Sequence, residues 1–293
     1  MMKKKPSDLI FDIFIYFTLI IAVLACLLPF FHIMSVSLSS SSAVMLQKVS
    51  LFPVGLNFEA YRRVLGDNSM IRSLFFTIYI TVLFTILGMF LTICYAYPLT
   101  RKNLKGRNVF LFLGLFTLYF GGGIIPEYVL INDLGLMNTM WCLILPLALS
   151  PYNMIILKTF FTNSIPESLE ESAKLDGCSD IGILLKIVLP LSTPVLATLS
   201  LFFAVGRWNS FQDALFYISD AKLYPLQLKL YYIVNASGST ETLVMESGGG
   251  VEQLQPEVIR AASVMFATIP IILVYPWLQK YFVKGVMIGA VKG

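Results

Sequence analysis

Charge is scarce in this sequence. Only 13% of its 293 residues are Asp, Glu, Lys or Arg, against 57% hydrophobic, and the mean hydropathy is +0.79. Soluble domains carry roughly a quarter charged residues, so a soluble fold is excluded and a membrane protein is expected. Histidine is rarer still: His32 is the single one, at the outer end of an apolar run, where an interfacial role is expected. The cysteines Cys26, Cys94, Cys142 and Cys178 form no CxxC pair, which leaves no pattern for a metal or a disulfide framework. No nucleophile, base and acid stand together, and an intramembrane hydrolase needs such a set. No GxxxxGK[ST] phosphate loop occurs, so ATP hydrolysis in this chain is not expected. The net charge of +4 is spread at the ends of apolar segments, as topology determinants are, and gives no reason to expect nucleic acid.

What is present is a series of long apolar runs. About 20 apolar residues cross the hydrocarbon core as a helix, and six segments qualify, near 10–34, 74–98, 109–130, 140–160, 187–206 and 261–282. The "VLAC" at 23–26 looks like a lipoprotein cleavage box, but the apolar run continues through "LLPFF", so an uncleaved first helix is expected. Six spans put both termini on one side. Lys3, Lys4 and Lys5, the connection with Arg101, Lys102, Lys105 and Arg107, and Lys280, Lys284 and Lys292 make that side the cytoplasm. Lys48, Arg62, Arg63 and Arg72 in the first outer connection oppose this, diluted by Glu59 and Asp67.

The expected organisation is therefore a tail and first transmembrane helix over 1–36, an external loop over 37–73, and a five-helix core over 74–293. Within that core fall a polar cytoplasmic segment at 161–186, an external loop at 207–260 and a cytoplasmic tail at 283–293. The outer loop holds "NASGSTETLVMESGGGVEQLQP", a composition expected to make a mobile excursion. "YFGGGIIPEY" at 119–128 is expected to break the third helix, Pro146 and "SPYN" at 150–153 to disturb the fourth, and Pro190 and Pro194 to mark the start of the fifth.

One polar island interrupts the apolar sequence: "ESLEESAKLDG" at 167–177. Ser164 as cap, Pro166 in the first turn and Glu167 three residues after Ser164 suggest a capping box. The helix should end near Leu175, with Gly177 supplying a positive φ, and a second helix should begin at Ser179 or Asp180.

Here the chain resembles the permease subunit of a bacterial ATP-binding-cassette importer. The family's cytoplasmic signature, E-A-A, two residues, D-G and a later L-P, stands as Glu171-Ser172-Ala173, then Asp176-Gly177, then Leu189-Pro190. Ser172 replaces the usual alanine, a small-for-small exchange. More narrowly the chain resembles the second permease of the carbohydrate-uptake class, MalG-like. "LFPVGLNFEAYRRVL", "YFGGGIIPEYVLI", "NSFQDALFYI" and the ending "YPWLQKYFVKGVMIGAVKG" look like the branch for oligosaccharides and polysaccharide fragments.

The resemblance implies an all-α integral membrane fold of the type I importer kind, six transmembrane helices with a cytoplasmic coupling helix. It implies a multi-pass chain in the cytoplasmic (inner) membrane of a bacterium. Its partners would be a homologous second permease, two copies of a P-loop ATPase that bind ATP and Mg, and an external or periplasmic sugar-binding protein. This chain itself would hold no cofactor and no metal. The coupling helix would use Leu169, Glu170, Glu171, Ser172, Ala173, Asp176 and Gly177, with Glu171 in an ionic contact, Leu169 and Ala173 filling the ATPase groove, and Asp176 with Gly177 shaping the turn. Val291, Lys292 and Gly293 would reach the ATPase from the tail, and 236–255 would probe the binding protein. Two groups that pair aromatic faces with polar atoms are sugar-path candidates: Tyr119, Glu127 and Tyr128, and Trp208, Asn209, Gln212 and Asp213. The alternative is an ion-coupled secondary carrier, which would need ionisable residues at the membrane midplane that these helices almost lack.

Overall fold

Apolar runs without water as a partner must satisfy their backbone internally, and every regular element among the described residues is helical. The structure is a computed structural model that describes residues 6–235 and 254–290. Two compact units arise from the chain: 1–70 with 232–270, and 71–231 with 271–293.

In the first unit, α1 (Pro6–Ser37) is a single helix of 32 residues, about 48 Å at 1.5 Å per residue. None of its apolar window is buried. Its polar end "SVSLSS" is tied down by hydrogen bonds: Ser35 Oγ donates to the Leu51 carbonyl at 2.7 Å and the Val54 amide donates to Ser39 Oγ at 3.0 Å. His32 Nδ1 lies 2.8 Å from the Ser50 carbonyl oxygen, so the single histidine is part of the same tether. The expected loop at 37–73 contains α2 (Ser41–Met45) and α3 (Glu59–Gly66). The Gln255 amide donates to Ser41 Oγ at 3.2 Å, just before α14 (Pro256–Ala290). The expected tail from 283 is thus helical to Ala290.

The second unit is built around α4 (Asn68–Ala96), α7 (Pro151–Ser164) and α11 (Thr193–Asn209). Their common core includes Phe84, Met154, Leu157, Phe161, Leu199 and Phe203. Gly88 of α4 sits so close to α11 that a Cβ there would lie 2.8 Å from the Phe203 ring, the close approach that small residues permit between membrane helices.

The breaks fall near the expected residues and are sharp. The third apolar segment is two helices, α5 (Arg107–Tyr119) and α6 (Ile124–Asp133), bent by 114°. Gly123, at φ 85°, takes the left-handed backbone that only glycine adopts without strain. The fifth is also bent, by 83°, between α9 (Asp180–Ile183), a π-helical turn Leu184–Val188 and α10 (Leu189–Leu191) on one side and α11 on the other. Pro190 lacks the amide that would continue the ladder, and a π-turn just before it absorbs the clash.

Among the described residues, three helices are long and apolar enough to cross by themselves, and up to five spans result if each bent pair is one. The fourth expected segment differs from its expectation: 140–150 holds a 3₁₀ turn, Met140–Leu143, and further turns, and α7 has 14 residues. Pro146 and Pro151 prevent a continuous helix there, and 14 residues reach about 21 Å. The expected outer excursion is also partly wrong: α12 (Gln212–Tyr217) and the part of α13 (Leu226–Asn235) up to Tyr231 lie in this unit, burying Ala214, Tyr217, Leu226 and Leu228. The apolar residues between the polar ones drive that packing; 236–253 lie outside the described residues.

Candidate functional site

The polar island folds as α8 (Glu167–Leu175). The capping box is not formed: Ser164 is the last residue of α7, and Pro166 stands at the cap position, its side chain contributing no hydrogen bond. Pro166 is extended there, at φ −63° and ψ 133°, and Glu167 and Glu170 in the first turn suit the helix dipole. The C-terminal end follows the expectation. Gly177 has φ 79°, the Cys178 amide donates to the Ala173 carbonyl at 2.9 Å and the Gly177 amide to that of Lys174 at 3.0 Å, which is a Schellman closure. Ser179 then caps α9, accepting from the Gly182 amide at 3.2 Å.

Helical spacing divides the expected contact residues between two faces. Glu170 and Ala173, three apart, turn inward. Ala173 is 9% exposed within the core that holds Leu99, Phe161 and Ile183, and Glu170 forms an ion pair with Arg101. Ala173 therefore fills this chain's own core, and its small side chain lets α8 lie close to the bundle. Ser168, Glu171, Ser172 and Leu175, spaced i, i+3, i+4, i+7, are all exposed, and Leu169 lies at the edge, 45% exposed. Leu175 is 89% exposed. It lies outside the E-A-A and D-G positions, and only the spacing of the outward face picks it out.

A second polar cluster lies at the far end of α11. Arg207, with no side-chain exposure, pairs with the Asp213 carboxylate through both terminal nitrogens, the Nη2 contact being 3.1 Å, and donates to the Leu143 carbonyl at 2.7 Å. Ser210 Oγ donates to Asp213 at 2.8 Å. Asp213 is thus occupied within the fold, and Trp208 is 8% exposed. Tyr217 links the two sequence groups: its ring lies 6.3 Å from that of Tyr128, and Glu127 faces its hydroxyl. Burial first, then the negative charge of Glu127, push the Tyr217 pKa up, so the phenol stays a neutral donor. Glu127, Asn209 and Gln212 are exposed, and Tyr119, 79% exposed, stands apart. A cavity of about 260 Å³ beside Arg207 is lined by Phe84, Ser150, Asn153, Phe202, Phe203 and Ser210, among others. Val291, Lys292 and Gly293 lie outside the described residues. Among the described residues no group of His, Cys, Asp and Glu is arranged to hold a metal.

Residues 104–288 match the family model described as binding-protein-dependent transport system inner membrane component. The chain is 43% identical to the polygalacturonan/rhamnogalacturonan transport system permease protein YtcP of Bacillus subtilis, over 97% of this chain and 99% of that one. It is 44% identical to protein LplC of the same organism, over 91% and 90%. Among solved structures it matches a chain of a bacterial ABC transporter involved in the import of the acidic polysaccharide alginate, with a TM-score of 0.87, 34% identity, and coverage of 96% of this chain and 100% of that one. A carrier that works alone does not fit these matches. The chain belongs to the family of binding-protein-dependent transport system inner membrane components.

Proposed function

We propose that this chain is one permease subunit of an ATP-driven importer of acidic oligosaccharides, and that α8 is its contact with the ATPase. The observation that carries the reading is the outward face Ser168, Glu171, Ser172 and Leu175. It presents one carboxylate and one apolar side chain on a short helix whose other face is anchored in the bundle. A helix laid into a groove is read through i, i+3, i+4 and i+7 positions. Nucleotide-driven closure of an ATPase pair then acts on a bistable bundle through a rigid contact. ATP and Mg bind the partner, since this chain has no phosphate loop.

The positive-inside pattern supports a cytoplasmic α8 and cytoplasmic termini, with the turns at 140–150 and the short α7 together making the sixth crossing. The unpacked apolar surface of α1 suits a second, homologous permease and lipid. The cavity beside Arg207 is smaller than the roughly 300–1,000 Å³ of usual ligand sites, so an oligosaccharide path needs surface from that second permease. Exposed Glu127, Tyr128, Asn209, Gln212 and Tyr119 are the residues of this chain open to a sugar, whereas Asp213 and Trp208 serve the fold. The acidic substrate rests on the relatives: one is named for polygalacturonan, and the alginate importer for an acidic polysaccharide.

Affinity purification of the tagged chain in mild detergent tests the reading. Wild type should recover a P-loop ATPase and a second permease; Glu171→Lys should keep the permease and lose the ATPase. Recovery of the chain alone in both preparations would sink the assignment. For the substrate, a strain lacking the chain should lose uptake of radiolabelled trigalacturonate, and unchanged uptake would remove the acidic-sugar reading.

A further inference from the structure

We infer that Arg101 is a positioning residue for transport, which locks α8 to the end of α4 so that a displacement of α8 is delivered to that span directly. This rests on the reading of α8 as the ATPase contact and adds what the contact moves. The chain itself connects α8 to α7 through 165–166 and to α9 through 176–179; it makes no covalent link to α4. The link to α4 is made by side chains.

The Arg101 guanidinium pairs with Glu170 in the middle of α8, and both side chains are shielded, 21% and 18% exposed. The same guanidinium lies over the Tyr97 ring, 4.3 Å from its centroid. The Tyr97 hydroxyl donates to the Asp180 carbonyl at 2.9 Å, just beyond the turn that ends α8. Tyr97 and Arg101, four residues apart at the end of α4 and its following turn, therefore grip the α8 segment at two points on either side of Gly177. Lys102 adds a pair to Glu167 at 2.8 Å, but with 72% and 63% exposure it is a solvated contact of little weight. A pair that is shielded, charge-assisted and backed by a cation–π contact resists shear far better than an exposed one. Glu170 is therefore not part of the face offered to a partner.

The test uses the purified complex with its partner subunits in proteoliposomes, with trigalacturonate, its binding protein and ATP–Mg as probes. Arg101→Ala should retain the ATPase and its hydrolysis, while sugar imported per ATP falls about tenfold, within the usual range for coupling between sites. The charge swap Arg101→Glu with Glu170→Arg should recover most of the ratio. An unchanged ratio in Arg101→Ala overturns the inference, and so does loss of the ATPase from that variant, because Arg101 would then serve docking or folding. A second measurement is independent of the ATPase: electron–electron distances between nitroxides at Ser172→Cys and Asn103→Cys, with Cys26, Cys94 and Cys178 replaced by alanine. The distribution should be narrow in the Arg101 protein, broad in Arg101→Ala and narrow again in the swap; equal widths overturn the lock. If wild type recovers no ATPase while the distances behave as expected, the proposed function fails and the lock stands.

Discussion

Asp213→Leu is expected to destabilise the chain by about 3–5 kcal/mol, because it leaves the Arg207 cation buried without its counter-charge. Arg207 has no side-chain exposure, and Asp213 is its carboxylate partner, 12% exposed. The Leu143 carbonyl remains as a neutral acceptor at 2.7 Å and cannot replace a charge. The effect should appear as a fall of roughly 10 °C in the tryptophan-fluorescence Tm in detergent, a probe suited to the site because Trp208 is buried next to Arg207. Replacing both members, Arg207→Met with Asp213→Leu, should recover most of the loss, since a buried pair is often matched by apolar residues of similar volume. The double variant also separates two roles for Asp213. If it folds and still transports, Asp213 acts only in the fold; if it folds and fails to transport, the carboxylate also serves the sugar path.

Leu175→Gln is expected to weaken association with the ATPase by about 1.5–3 kcal/mol, or about 10- to 150-fold. Leu175 is 89% exposed, the more exposed of the two leucines in a segment otherwise made of charged and small residues. It lies on the outward face with Glu171, three and four residues after Ser172 and Glu171 respectively, and would be covered by a groove that received this face. Glutamine has nearly the helix propensity of leucine, so α8 itself should persist. Titration of purified ATPase onto the permease pair in nanodiscs gives the affinity. An unchanged affinity would mean that the groove receives another face, with Leu169 as the next candidate. Ala173 cannot serve, since it is packed against Leu99, Phe161 and Ile183 in the core of its own chain.

Sequence alone was enough for the membrane, the existence of α8, its end at Leu175 and a helix restart at Ser179 or Asp180, which the fold makes Asp180 with Ser179 as its cap. Each rests on local physics: hydropathy over span-length windows, and a glycine that alone tolerates φ 79° at the turn. The breaks at "FGGG" and around Pro190 were legible for the same reason. Their size was not, because an angle of 114° or 83° depends on what the two arms pack against. The start of α8 is not legible in the sequence: Ser164 looks like a cap, but α7 continues through the serine and the proline takes the cap position. The Gly- and Ser-rich part of the outer loop reads as a mobile excursion, whereas its first half carries enough apolar residues to form α12 and α13.

What only the tertiary structure decided is the assignment of side chains to faces and partners. In the sequence, Glu170 and Glu171 are adjacent and chemically identical. In the fold they point about 100° apart around the helix axis, one meeting Arg101, 69 positions away, and the other left to solvent. Asp213 and Glu127 likewise read as one kind of residue. One is consumed by Arg207 and the other stands exposed beside Tyr217. Composition and spacing determine which elements form, because those depend on neighbours along the chain. Which carboxylate holds the fold together and which is offered to a partner depends on cations brought near from elsewhere, and only the packing of the helices supplies them.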